Sequence, residues 1–177
     1  MGVPLSPSDV ERLLTELVER LAELGSPARV FVFGGAAIAL INPARTSTVD
    51  VDAFLGLPAV DATEVLDRLG REWGLDEGWF NFEAQGLLPP VAGADAYQAW
   101  HTVGDVTLYV ATAEALLAMK LRAARGKDQS DIAFLLRVCG VTTVEAAEEI
   151  FESFYPGDLL SPTATARVQA ALVGYSD

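Results

Sequence analysis

Two adjacent glycines, Gly34 and Gly35, interrupt an apolar stretch that otherwise runs from Val30 to Ile41. Residues 29–33, Arg-Val-Phe-Val-Phe, read as a short buried strand, and the apolar residues 36–41 read as a short helix. A strand, a glycine turn and a helix result. Asn42-Pro43 stops that helix, and residues 47–55 form a second strand that carries Asp50 and Asp52. Residues two apart on a strand share a face, so both carboxylates project from one side while Val49, Val51, Ala53 and Leu55 point to the other. Two like charges are forced together, which is costly unless a cation sits between them or the face is fully wet.

The glycine pair adds a phosphate-binding capacity. A glycine turn leading into a helix amino terminus presents backbone N–H groups and a favourable dipole to phosphate oxygens, and the absence of side chains lets a ligand approach the main chain. The plainer alternative is a tight turn beside a solvated pair of acids.

Elsewhere, Ser8 with Glu11 forms a capping box ahead of Val10, Leu13, Leu14, Leu17, Val18, Leu21 and Leu24, which recur at helical spacing until Gly25. Asp61 with Glu64 repeats the signature before Val65, Leu66, Leu69 and Trp73, and Gly74 ends that helix. The segment 75–104 carries mixed signals: 79–82 is a strand or a turn, and Pro89-Pro90 breaks whatever precedes it. Residues 106–110 alternate as a strand. From Thr112 onward only helices are predicted, over 113–125, 129–139, 144–155 and 162–173, with Thr142–Glu145 capping the third and Ser161-Pro162 opening the last. The expected class is α/β in the α+β sense: a small mixed sheet flanked by helices in 1–111, and a helical subdomain in 112–177.

Composition narrows the chemistry. One cysteine, Cys139, excludes an internal disulfide framework, and no stretch resembles a secretory signal or an uninterrupted membrane span, so a reducing cytoplasm and no membrane contact are expected. With one histidine, His101, there is little from which to build a zinc site, and a catalytic metal has to be held by carboxylates, as magnesium or manganese is. The net charge of -13 argues against a broad grip on nucleic acid. Basic residues do cluster at Lys120, Arg122, Arg125, Lys127 and Arg137, a patch suited to a small anion or one end of a nucleic acid, or else a solvated helix surface. The aromatic residues Trp73, Trp79, Phe80, Phe82 and Trp100 read as core or interface packing before base stacking.

Phe33-Gly-Gly-Ala-Ala37 followed by Arg45-Thr-Ser-Thr-Val-Asp-Val-Asp52 resembles the signature of the DNA polymerase beta-like nucleotidyltransferases. Leu116-Leu-Ala-Met-Lys-Leu-Arg-Ala-Ala124, with Lys127-Asp128-x-x-Asp131 after it, is similar to the segment that marks the AbiEii-type toxin branch of toxin–antitoxin nucleotidyltransferases. The matches span residues 30–136. The resemblance implies a nucleotidyltransferase-like core in 1–111 and transfer of a nucleoside monophosphate from a nucleoside triphosphate to an acceptor hydroxyl, on tRNA for a toxin that meets an antitoxin protein. It implies Mg2+ or Mn2+ on Asp50 and Asp52, and triphosphate along Gly34 and Gly35. It also implies Lys120 on the nucleotide phosphates and Asp131, or Asp128 in its place, completing the acidic site. Arg45 is a further candidate phosphate ligand. The chain departs from the family pattern in three ways: Gly35 stands where many members carry serine, the spacing from Lys120 to Asp131 is shorter than in the toxin branch, and the strand 106–110 lacks a third acid, Asp105 and Glu83 being the nearest. Transfer to a cationic small molecule, as in aminoglycoside nucleotidyltransferases, and a catalytically inactive binding or regulatory protein on the same fold are the alternatives.

Overall fold

The structure, a computed structural model, describes residues 3–56, 61–90 and 94–174. Along the chain these form α1 (Pro7–Ala22), β1 (Ala28–Val32), α2 (Gly34–Ile41), β2 (Val51–Leu55), α3 (Thr63–Trp73), β3 (Phe80–Asn81), β4 (Tyr97–Val103) and β5 (Val106–Ala111). Four helices follow, α4 (Ala113–Ala123), α5 (Gln129–Val138), α6 (Val144–Phe154) and α7 (Pro162–Val173). The strands make one sheet in the order β3-β2-β1-β5-β4, with β1 antiparallel to β2, parallel to β5, and β4 antiparallel to β5. The chain is therefore an α+β protein with a mixed sheet.

Two compact units divide it, Met1–Ala84 with Tyr97–Ala111, and Gln85–Ala96 with Thr112–Asp177. The first holds the sheet and α1 to α3. The second holds α4 to α7, and it includes 85–96, a segment inside the 1–111 span. Local hydrogen bonds tie that segment to the helical unit: Tyr155 donates its hydroxyl to the Leu87 carbonyl, and Thr112 N–H donates to the Ala96 carbonyl at 2.9 Å.

In the first unit, strand alternation sends Val30, Val32, Val51, Ala53, Val106, Leu108 and Val110 into the core. The six apolar residues of α1 from Val10 to Leu21 are all buried, as the helical spacing predicts, and α1 packs on α2, α3 and the sheet. Each such side chain stabilises the fold by about 2 kcal/mol. The other face of the sheet is aromatic. Phe31 stacks between Phe54 at 4.8 Å and Tyr109 at 5.0 Å, and Tyr97 meets Phe31 edge-on at 5.1 Å.

Three capping expectations are corrected. Ser6 and Asp9, not Ser8 and Glu11, form the capping box of α1, because Pro7 is pre-shaped for the first helical position. Thr143, not Thr142, caps α6. At α3 no side chain caps the helix from position 62; Asp61 instead accepts from the Thr63 N–H at 3.1 Å. The second strand is shorter than 47–55: it runs Val51–Leu55, with Ala53–Leu55 in register on β1 and Val51–Asp52 on β3. Thr48 forms an isolated bridge to Leu5, and Val49 is 54% exposed where strand alternation would bury it. The tryptophans do not form one cluster. Trp79 donates to the Leu66 carbonyl at 3.3 Å and lies against Gly70, while Trp73 donates to Glu16 at 2.8 Å under the Arg12 guanidinium.

Candidate active site

Strand β1 ends at the glycine pair, and Gly34 turns the chain with φ +62°, a conformation that side chains disfavour. The helix α2 then starts with no side-chain cap from Phe33. Its first-turn N–H groups have no intrahelical acceptor and point toward whatever lies beyond the end of β1. The neighbouring chain brings four polar side chains to this turn.

Phe33 N–H donates to the Asp52 carbonyl at 3.0 Å, so Asp52 stands beside the glycine pair. A Cβ on Gly34 would overlap the Asp52 carboxylate. A Cβ on Gly35 would lie 2.8 Å from Thr48 Oγ1 and 3.3 Å from the Arg45 guanidinium. Thr48 Oγ1 in turn lies 3.2 Å from the Asp50 carbonyl and 3.5 Å from its carboxylate. Gly34, Gly35, Arg45, Asp50 and Asp52 thus converge in the first unit on the amino terminus of α2.

Gly34 is demanded twice over, by its positive φ and by the Asp52 carboxylate against it. Gly34→Ala is expected to destabilise the chain by about 1–2 kcal/mol from backbone conformation alone, and by more once Asp52 is displaced. Urea denaturation measures this; a variant as stable as the parent would contradict the packing described.

The second unit gathers the other predicted residues. Lys120, near the end of α4, lies 2.6 Å from Asp128 and 2.9 Å from Asp131, and the three side chains are 15%, 5% and 9% exposed. A lysine ammonium has three N–H donors, so the two acids leave one for any further ligand. Lys120 is held by the two carboxylates that the resemblance would place beside the nucleotide. Arg167 of α7, which the sequence did not single out, braces this cluster: it donates to the Ala124 carbonyl at 2.9 Å and to Gln129 at 3.3 Å. Ala124 takes φ +46° there. Within the basic group, Arg122 pairs with Asp158 and covers the Tyr155 ring. Lys127 and Arg137 line a cleft of about 550 Å³ between α5 and α7.

No acid stands on β5. Its buried positions are Val106, Leu108, Val110 and Ala111, and the other two are Thr107 and Tyr109. Asp105 is excluded as a partner of Asp52, because its carbonyl accepts from Ala28 at the opposite end of β1. Five strand residues separate the two ends, about 17 Å. Glu83 is closer to the site. Its N–H donates to the Asn81 side chain at 3.0 Å, and Asn81 is the register partner of Asp52 across β2 and β3. Asn81 and Thr48 are the neighbours of the acids that sequence reasoning missed. Thr48 lies inside the Arg45–Asp52 motif, whereas Asn81 carries no sequence signal, since β3 is only two residues long.

Burial and the nearby Glu114 push the Cys139 thiol up to about 12. At pH 8 its thiolate fraction is on the order of 10⁻⁴, against about a quarter for a free cysteine. Alkylation of the native chain at pH 8 is expected to run roughly 10³-fold slower than in urea; equal rates would contradict this.

No family model matches the chain, and neither a curated protein nor a solved structure does.

Proposed function

We propose that the chain is a nucleotidyltransferase that moves a nucleoside monophosphate from a nucleoside triphosphate to an acceptor hydroxyl. The observation that carries this is the convergence of Asp52, Arg45 and the Thr48-bonded Asp50 on the Gly34-Gly35 turn at the amino terminus of α2. Such a turn suits phosphate, and the paired acids suit a hard cation. Among the described residues no group of three or more His, Cys, Asp or Glu side chains gathers to hold a metal. Two carboxylates fit magnesium, which keeps several waters and takes substrate phosphates in place of an all-protein cage.

In this reading Asp50 and Asp52 hold the cation, the α2 N–H groups and Arg45 bind phosphate oxygens, and the bare glycines allow close approach. Bound there, Mg2+ supplies Lewis-acid polarisation of the phosphate and neutralises charge on the leaving group. The acceptor oxygen forms a bond to the α-phosphorus, and the bond from that phosphorus to the β-phosphate oxygen breaks. Pyrophosphate departs, and the hydroxyl proton passes to water at the site.

The acceptor class rests on the family resemblance: a tRNA hydroxyl, for a toxin countered by an antitoxin protein. The charge of -13 supports contact with one end of an RNA over a grip along its backbone, and it favours a basic antitoxin. A second reading, an inactive binding module, is favoured by the absence of an acid on β5 and by Lys120 being held by two carboxylates. Incubation with each labelled nucleoside triphosphate, Mg2+ and total RNA separates them. Label on RNA that disappears in Asp50→Ala supports the transferase. Nucleotide binding without label on RNA or any small acceptor favours the module.

A further inference from the structure

We propose that Thr48 is a positioning residue of this site, its hydroxyl orienting Asp50 and filling the space above Gly35 that a side chain at position 35 would otherwise occupy. The inference rests on the nucleotidyltransferase reading.

Asp50 lies outside β2, so strand pairing does not fix its carboxylate. Thr48 is fixed. Its N–H and carbonyl both pair with Leu5, at 3.0 and 2.7 Å, and the residue is 7% exposed. From that anchored backbone the hydroxyl reaches the Asp50 carbonyl at 3.2 Å and carboxylate at 3.5 Å. The same oxygen lies 2.8 Å from where a Gly35 Cβ would be. Real Cβ atoms essentially never come that close to a neighbour, so the chain has room for a side chain at 35 or for the threonine at 48, but not for both in their present positions.

A hydroxyl has one hydrogen and two lone pairs. The hydrogen is shared between the Asp50 carbonyl at 3.2 Å and its carboxylate at 3.5 Å, which restrains the acid's orientation. Once the carboxylate is engaged by a cation, the hydrogen is released toward an anionic ligand at the amino terminus of α2. Position 48 thereby contributes the polar group that Gly35 lacks.

The test compares Thr48→Val, which keeps the shape and loses the hydroxyl, Thr48→Ser, which keeps the hydroxyl, and Gly35→Ser with and without Thr48→Ala. Two readouts are taken: melting temperature, and Mn2+ affinity by calorimetry in the presence of each common nucleoside triphosphate. Thr48→Val is expected to fold and to bind Mn2+ about tenfold more weakly, the usual loss when a group supporting a metal ligand is removed. Thr48→Ser restores binding to within about twofold. Gly35→Ser alone lowers the melting temperature, and adding Thr48→Ala recovers it. A folded Thr48→Val that binds as the wild type does, while Asp50→Ala does not bind, overturns the role of Thr48 and leaves the transferase reading standing. Failure of Thr48→Ser to restore binding reduces Thr48 to a packing role and also overturns it. A wild-type chain that binds neither Mn2+ nor any of the nucleotides overturns both.

Discussion

Asp52→Asn is expected to reduce nucleotide transfer by roughly 10³-fold, the scale seen when a charge-stabilising group is removed from a preorganised site, while leaving the melting temperature within a few degrees of the wild type. Asparagine keeps the size that fits against Gly34 but offers a neutral oxygen, which binds a hard cation poorly. The melting temperature is expected to hold because Asp52 is only half-buried and asparagine keeps its size and its carbonyl oxygen. If the protein is a toxin, expression of the wild type arrests bacterial growth and expression of the variant does not. Arrest that persists with Asp52 replaced sinks the catalytic explanation, and a variant that fails to fold would contradict the placement of Asp52 at the surface of the turn.

Lys120→Met is expected to act on stability. It strips the cation from two carboxylates that are 5% and 9% exposed, and an uncompensated buried charge typically costs about 3–5 kcal/mol. For a chain of this length that lowers the melting temperature by about 10 °C. Removing all three charges together, with Asp128→Asn and Asp131→Asn added, is expected to recover most of the loss, since neutral replacement of a whole buried cluster is often tolerated. Thermal unfolding of the single and triple variants decides it: a single variant that melts with the wild type would mean the cluster is solvated and not structural.

How much of this was legible in the sequence depended on how local each signal was. The helix α1 announced itself because six buried residues repeat on one face, and α7 because Ser161-Pro162 marks its start. Caps missed by one or two residues where several Ser, Thr or Asp side chains compete, as at Ser6 and Ser8. The strand β4 was not resolved within 75–104, because it is an edge strand with a bulge between Ala99 and His101 and no clean alternation of burial. The aspartate pair and the glycine turn were visible as a motif. What holds them together was not: the Leu5–Thr48 bridge joins residues 43 positions apart and carries no pattern. Nor did spacing reveal that Lys120 is shared by Asp128 and Asp131, which needs the turn at Gly126–Asp128 to fold the chain back.

The position of a radioactive label decides whether a triphosphate bound at the Gly34-Gly35 turn is attacked at its α-phosphorus. Purified chain is incubated with Mg2+, total RNA and either α- or γ-labelled nucleoside triphosphates, and RNA and released phosphate are resolved separately. The α-label is expected to enter RNA and the γ-label to leave as pyrophosphate, with both events lost in Asp50→Ala. A γ-label that enters RNA, or is released as inorganic phosphate with no α-label transferred, would contradict attack at the α-phosphorus.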